Sequence, residues 1–131
     1  LLGSDTGAIQ ADRIAAACAL ARRYRAWVVL KGCGSVIAGP DGRWWINTSG
    51  NPAMATAGMG DVLTGIICAL LARGWPPGEA LLAGVHLHGV AADTLCAEQG
   101  LDTGLLAGEV AEAARRSLNH WLRACAPARQ A

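Results

Sequence analysis

Apolar residues recur at helical spacing over residues 9–24 (Ile9, Ile14, Ala17, Cys18, Leu20, Ala21), while Asp12, Arg13, Arg22 and Arg23 fall largely elsewhere on the wheel. The pattern predicts one amphipathic helix. The period then changes. Trp27-Val28-Val29-Leu30 is a short apolar run without alternation, which suits a buried parallel strand. Lys31-Gly32-Cys33-Gly34-Ser35 reads as a glycine-rich turn, and Val36-Ile37-Ala38 resumes extended structure. Pro40-Asp41-Gly42 is a turn signal ahead of residues 43–47, so these two runs predict a β-hairpin. A second helical run (Val62, Leu63, Ile66, Ile67, Leu70, Leu71) starts behind Gly58 and Gly60, ends near Gly74, and reads as a buried helix. Pro76-Pro77 separates it from a third helix over residues 79–98, and a turn at residues 100–104 follows. The last helix is amphipathic (Val110, Ala113, Ala114, Leu118, Trp121, Leu122), with Arg115, Arg116 and Arg123 outside. The tail after Ala126 reads as loose. Strand–turn–strand followed by three helices is an α/β order, yet most strands needed to complete a sheet are missing.

The length of 131 residues supports one domain with a core, not two. Hydrophobic residues make up 53%, but Thr64, Gly65, Gly84, His86 and His88 interrupt the apolar stretches. None reaches the ~18 unbroken residues of a membrane span. The net charge of +1 argues against nucleic acid or a polybasic membrane surface as the main partner. Five scattered cysteines (Cys18, Cys33, Cys68, Cys96, Cys125) without a C-x-x-C make neither a zinc site nor a disulfide framework. Four of them sit in apolar helical settings, where a free thiol acts as a small hydrophobe. A reducing cytoplasm fits this usage, and no signal or transit segment is visible. Leu1 is not an initiator Met, and Leu1-Leu2-Gly3 reads like the end of an earlier helix, so a longer parent protein is expected.

The densest chemical signal is Asn51 to Gly65, NPAMATAGMGDVLTG. Glycine permits positive φ and close approach of a ligand to the main chain. The first N–H groups of a helix lack internal partners and carry partial positive charge, so Gly58, Met59 and Gly60 offer an anion hole. Asp61 beside such a hole makes sense as a base that takes a proton from a hydroxyl while the amides hold a phosphoryl group. An aspartate in a first helical turn also commonly just complements the dipole. Gly-x-Gly-Asp alone is therefore weak evidence, and the longer string is stronger.

A second candidate is Lys31 to Ser35, at the carboxyl end of a strand, where ligands bind open α/β sheets. Lys31 is the only lysine among eleven Lys and Arg residues. The loop is not a Walker A motif, in which the lysine follows the second glycine. The alternative is a salt-bridged strand end. His86 and His88, two apart on a helix, point about 200° from one another and cannot share a metal ion. One is expected to pack inward and hydrogen-bond, the other to face solvent or a partner. Trp44 and Trp45 alternate across a strand, one inward and one on the opposite face. Thr56 and Thr64 flank the loop and could cap it or contact phosphate, with local backbone bonding the favoured reading, and local structure explains Asn47 and Asn51.

The stretch LKGCGSVIAGPDGRWWINTSGNPAMATAGMGDVLTGIICALLARGWPPGEALLAGVHLHGVAAD resembles the carboxyl-terminal half of the ADP-dependent NAD(P)H-hydrate dehydratase family, long grouped with carbohydrate kinases. The likeness extends back through QADRIAAACALARRY and forward through GLLAGEV. It implies a ribokinase-like three-layer α/β/α fold, of which residues 1–131 form only the carboxyl-terminal half of a single domain. It further implies metabolite repair, the dehydration of (6S)-NAD(P)H hydrate with ADP, or in some relatives ATP, as phosphoryl donor. On this likeness Asp61 activates the ring hydroxyl, and phosphate then leaves by elimination. Lys31, Gly32, Cys33, Gly34, Ser35 and Gly60 match nucleotide-binding positions. Mg²⁺ and a homo-oligomer accompany the resemblance. Ser35 stands where many relatives have threonine, and Met59 where threonine is frequent. The missing half, with a His-Pro-Gly-Glu segment, supplies central strands and part of the pocket, so the isolated chain is expected to be inactive. Two rival readings remain: a ribokinase-like kinase of a sugar or vitamin-precursor alcohol, and a non-catalytic nucleotide-binding module.

Overall fold

The computed structural model describes residue 3 and residues 5–125, so the tail after Ala126 and the Leu1-Leu2 opening lie outside the described residues. The first predicted helix is two. Helix α1 spans Thr6–Ala11 and α2 spans Arg13–Tyr24. Asp12 breaks the run at φ −144° and ψ 85°, and its carboxylate accepts from the Ala15 amide at 2.8 Å. Asp5 caps α1 in the same way, accepting from Ala8 at 2.9 Å. Short acidic side chains compete for backbone donors and win at helix starts, which a purely periodic reading does not register.

Strands β1 (Val28–Leu30), β2 (Val36–Ala38) and β3 (Trp44–Ile46) form one antiparallel meander in the order β1-β2-β3. The hairpin is as predicted, with Val36 opposite Ile46 and Ala38 opposite Trp44. Gly39 donates to the Arg43 carbonyl at 2.9 Å across the turn. The expected buried parallel strand is corrected: β1 is half-buried and runs antiparallel to β2, Val28 facing Ala38 and Leu30 facing Val36. The connection from residue 31 to residue 35 is too short for the crossover that parallel pairing requires. Among the described residues no strand pairs with the other edge of β1.

The alternation of β2 separates two cores. Val36 and Ala38 pack on Ala17, Cys18 and Ala21 of α2. Ile37 points the other way, to Leu63 of α3 (Met59–Ala72) and to Leu81 and Val85 of α4 (Pro77–Gln99). Trp45 stacks on Trp27 with ring centroids 5.8 Å apart, and Trp44 is exposed, as alternation predicts. Helix α5 (Ala107–Ala124) closes a third cluster, with Leu87, Ala91 and Leu95 of α4 against Val110, Ala113 and Ala114. The layers are therefore α2, sheet, and the α3–α4–α5 group.

Two readings of apolar content need correction. Helix α3 is not buried throughout: Met59, Leu63 and Leu70 are, whereas Thr64, Gly65, Cys68, Ala69 and Leu71 are exposed. One stripe meets α4 and the sheet, and the opposite side is open among the described residues. Cys18 is buried and Cys96 half-buried, but Cys68 and Cys125 are exposed, because they lie on outward sides of their segments. Helix α4 is long and apolar enough to cross a membrane by length and composition alone. Its buried residues, from Gly78 to Leu95, make it the core helix of this fold.

Gly89 sets how closely α4 meets the chain before α3. A methyl there would lie 2.6 Å from the Ser49 carbonyl carbon and 2.8 Å from the Gly50 nitrogen, and backbone atoms cannot swing aside. Gly89→Ala in the full-length protein should therefore lower stability by about 1–3 kcal/mol. Gly108→Ala, where a methyl meets open space, should cost nothing. Urea denaturation midpoints check the contrast, and equal midpoints for the two variants would refute it.

Candidate active site

Gly58 opens α3 in the left-handed region at φ 85°, which glycine adopts without a side-chain penalty, and no side chain caps the turn. The Met59, Gly60 and Asp61 amides thus begin the helix at its positive end. The Met59 side chain anchors the turn from below, buried among Ala53, Leu87, Leu105 and Val110. Asp61 is exposed in this first turn and makes no hydrogen bond or ion pair among the described residues. Thr64 donates back to the Gly60 carbonyl at 2.9 Å and Thr56 to the Leu105 carbonyl at 3.0 Å, so both hydroxyls serve the backbone.

The loop after β1 is shaped by Gly32 at φ 149° and Gly34 at φ 66°. The Ser35 hydroxyl donates to the Gly32 carbonyl at 3.0 Å and accepts from the Gly32 amide at 3.2 Å. That hydroxyl pins the loop on itself. Cys33 is exposed at the loop's crest. The Lys31 side chain leaves the loop and crosses to the other candidate: its Nζ lies against Gly60, where any Cβ would collide with it. Two segments read separately along the chain are one locus.

Two supports were not legible as such in the sequence. Arg13, assigned only to the polar side of a helix, reaches the loop. Its Nη1 donates to the Cys33 carbonyl at 2.6 Å, and its Nη2 to those of Leu30 and Lys31 at 3.1 and 3.2 Å. A guanidinium fork suits such a fan of acceptors. Its Nε is buried without a partner. No local spacing announces this contact, which spans some twenty residues.

The second support is a stripe of α4. The His86 carbonyl accepts from the Ser49 hydroxyl at 3.0 Å, Gly89 admits the Ser49–Gly50 backbone, and Asp93 accepts from Gly50 N and Asn51 Nδ2, each at 2.8 Å. Positions 86, 89 and 93 share one helical face, so an H-x-x-G-x-x-x-D spacing was the available signal. Asn47 bonds locally to Ser49, as expected. Asn51 does more than the local role assigned to it, since it bonds across 42 positions to Asp93.

The histidines diverge. His86 is exposed and stacks on Trp121 at 5.8 Å. His88 is 8% exposed, beside the Met59 backbone and near Lys31, and its Nε2 is buried without a hydrogen-bond partner. Burial and, secondarily, the Lys31 charge hold the imidazole below its ordinary pKa, against a smaller opposite effect of the Met59 backbone.

A family model described as NAD(P)H-hydrate dehydratase matches residues 1–116. The ADP-dependent (S)-NAD(P)H-hydrate dehydratase of Neisseria meningitidis serogroup B is 50% identical over 123 residues, which cover 94% of this chain and 40% of that protein. The bifunctional NAD(P)H-hydrate repair enzyme Nnr of Escherichia coli is 43% identical over 119 residues, 91% of this chain and 23% of that one. The solved structure of Bacillus subtilis YxkO superimposes with a TM-score of 0.85 at 36% identity, covering 92% of this chain and 45% of that one. The Bacillus subtilis ADP/ATP-dependent NAD(P)H-hydrate dehydratase, co-crystallized with ATP/Mg²⁺ and soaked with CoA, gives 0.83 at 36% identity, covering 91% and 44%. The chain thus has the ribokinase-like α/β fold of these proteins and spans less than half the length of each of the four.

The depressed pKa of His88 has a measurable sign. Above the ordinary imidazole value of about 6.5 both states are neutral and full stability is present. As pH falls from there towards the lower folded pKa, the unfolded chain takes up the proton first and stability drops. His88→Gln should flatten this slope in urea midpoints collected from about pH 7 down to pH 5. An unchanged slope would refute the assignment.

Proposed function

This chain belongs to the NAD(P)H-hydrate dehydratase family, and from that premise we propose that residues 1–131 are the carboxyl-terminal half of a ribokinase-like domain that dehydrates (6S)-NAD(P)H hydrate with ADP. One observation carries the reading: the Lys31 ammonium lies against Gly60, in the turn that also presents Asp61. Ammonium, uncapped helix amides and an exposed carboxylate together fit a phosphoryl group on one side and a hydroxyl on the other.

In this proposal the nucleotide phosphates lie along Lys31, Gly32, Cys33, Gly34 and Ser35 and reach Gly60. The amides of Gly58, Met59 and Gly60 take up charge on the transferring phosphoryl. Asp61 accepts the proton of the ring hydroxyl as its oxygen bonds to phosphorus and AMP leaves. The new phosphate ester then departs as phosphate while the neighbouring ring carbon gives up a proton to solvent, and this elimination restores the ring double bond. Ser35, already bonded to Gly32, shapes the loop and touches a phosphate only by yielding that bond.

Mg²⁺ belongs to this reading through the nucleotide, as Bacillus subtilis crystals grown with ATP/Mg²⁺ suggest by analogy. Among the described residues no three His, Cys, Asp or Glu side chains converge to hold a metal ion. Mg²⁺ commonly keeps waters and phosphate oxygens as ligands, and the roles given to Asp61 and the turn amides do not run through it. The remaining pocket wall comes from a preceding segment of the parent protein. The open edge of β1 and the open side of α3 offer it apolar and backbone surface. We place the parent in the cytoplasm, where five free thiols stay reduced, and as a homo-oligomer by the family likeness.

The test is recovery of NADH from its hydrate by the full-length protein, with ADP and ATP supplied separately. Recovery is expected. Its absence, together with phosphorylation of an alcohol by ATP, would favour the kinase reading; nucleotide binding without either reaction would favour a non-catalytic module. Asp61→Asn should lower kcat by about 10²- to 10⁴-fold and leave ADP affinity within about twofold. Lys31→Ala should weaken ADP binding by about tenfold, the worth of roughly one charge-assisted contact. Normal turnover in the first variant, or an unchanged ADP Kd in the second, would overturn the role concerned.

A further inference from the structure

We propose that Asp93 is a positioning residue for the chemical step, holding the Gly50–Asn51 end of the segment that carries the Gly58–Asp61 turn while leaving the nucleotide loop to other supports. The proposal rests on the function argued above. Both Asp93 oxygens are used: Oδ2 accepts from the Gly50 amide and Oδ1 from Asn51 Nδ2, each at 2.8 Å. Asn51 passes the tie onward, its Oδ1 accepting from the Ala53 amide at 3.0 Å at the start of the 3-10 turn Pro52–Met54. The ion pairs among the described residues are Arg43–Asp41 and Arg115–Glu112, so these two donors, not a cation, meet the Asp93 charge. Bonds to a charged acceptor are about twice as strong as neutral ones.

The segment is then fastened twice more before Asp61, by Thr56 on the Leu105 carbonyl and by the buried Met59 side chain. With the neighbouring bond from Ser49 to the His86 carbonyl, Asp93 is the tie farthest along the chain from the reacting groups, and it is the one made by a carboxylate. The Lys31–Ser35 loop hangs on a different element, through the Arg13 guanidinium. Loosening Asp93 therefore shifts Asp61 and the turn amides relative to the phosphoryl group without releasing the nucleotide loop. A purely structural role would move stability and both kinetic parameters together.

The bonding pattern provides its own rescue. Asp93→Asn alone sets an amide NH₂ against one of two donors. Asn51→Asp alone sets two carboxylates face to face. Together they restore the set: the new carboxamide accepts from Gly50 N and donates to the new carboxylate, which still accepts from Ala53 N. In the full-length protein each single variant should lower kcat by about tenfold to a hundredfold, the scale of one charge-assisted hydrogen bond, with ADP Kd within about twofold. The double variant should return kcat to within about threefold of the parent. Amide hydrogen exchange supplies a reading independent of turnover: the hydrogen-bonded amides of residues 50–56 should exchange at least about tenfold faster in Asp93→Asn and recover in the double variant. Wild-type kcat in Asp93→Asn, unchanged exchange over residues 50–56, or no recovery in the double variant would overturn the proposal. If the parent protein does not recover NADH, the function above fails, while the exchange data still decide whether Asp93 holds the turn.

Discussion

Helix α4 can hold the segment before α3 because Gly89 puts no side chain between the two backbones. At this contact the hydroxyl of Ser49 meets the His86 carbonyl on one side, and the Gly50 amide meets Asp93 on the other. A helix in the protein interior is a rigid ruler, fixed here by its packing on both α3 and α5. A segment registered against such a ruler at two positions has little freedom left. The turn at Gly58 inherits that order, and with Met59 sunk into the same core its amides point outward from a fixed base.

The site also shows a division of charge. The Lys31 ammonium lies against Gly60 at the positive end of α3, and Asp61 is the next residue of that first turn. His88 is buried beside the Met59 backbone, and burial and, secondarily, the Lys31 charge hold its imidazole below the ordinary pKa. A protonated imidazole there would add a buried charge with no counterion, which is costly. The cationic character of the locus is thus carried by one exposed side chain and by backbone dipoles. That arrangement can meet a phosphate without reorganising the core.

The two loops are supported from opposite layers. Arg13 reaches from α2 to the carbonyls of the Lys31–Ser35 loop, and α4 grips the segment from Ser49 to Asn51 from the other face of the sheet. The short strands between them are joined by tight turns, so the meander fixes the spacing of the layers. The Lys31 side chain then spans the gap between the two loops. Among the described residues one side of α3 is open and one edge of β1 is unpaired, in keeping with a chain that spans 40% of its Neisseria relative.

Much of this was legible in the sequence. Periodicity located the helices, Pro40-Asp41-Gly42 located the hairpin, and glycines ahead of an apolar run located the helix start that offers free amides. These features obey rules that act over a few residues, such as side-chain period, the φ range of glycine and the capping of amides. The direction of β1, the open side of α3, the reach of Arg13, the grip of Asp93 and the approach of Lys31 to Gly60 followed other rules. Each depends on residues brought together by packing, 17 to 20 positions apart for the Arg13 bonds and 42 to 43 for those of Asp93. Polarity marked those side chains as surface groups because the pattern sees only which side of an element they leave from. The sequence by itself determined where the amides and the carboxylate of the turn would stand, and only the tertiary structure decided what holds them there, since a long side chain finds its partners after the elements have packed.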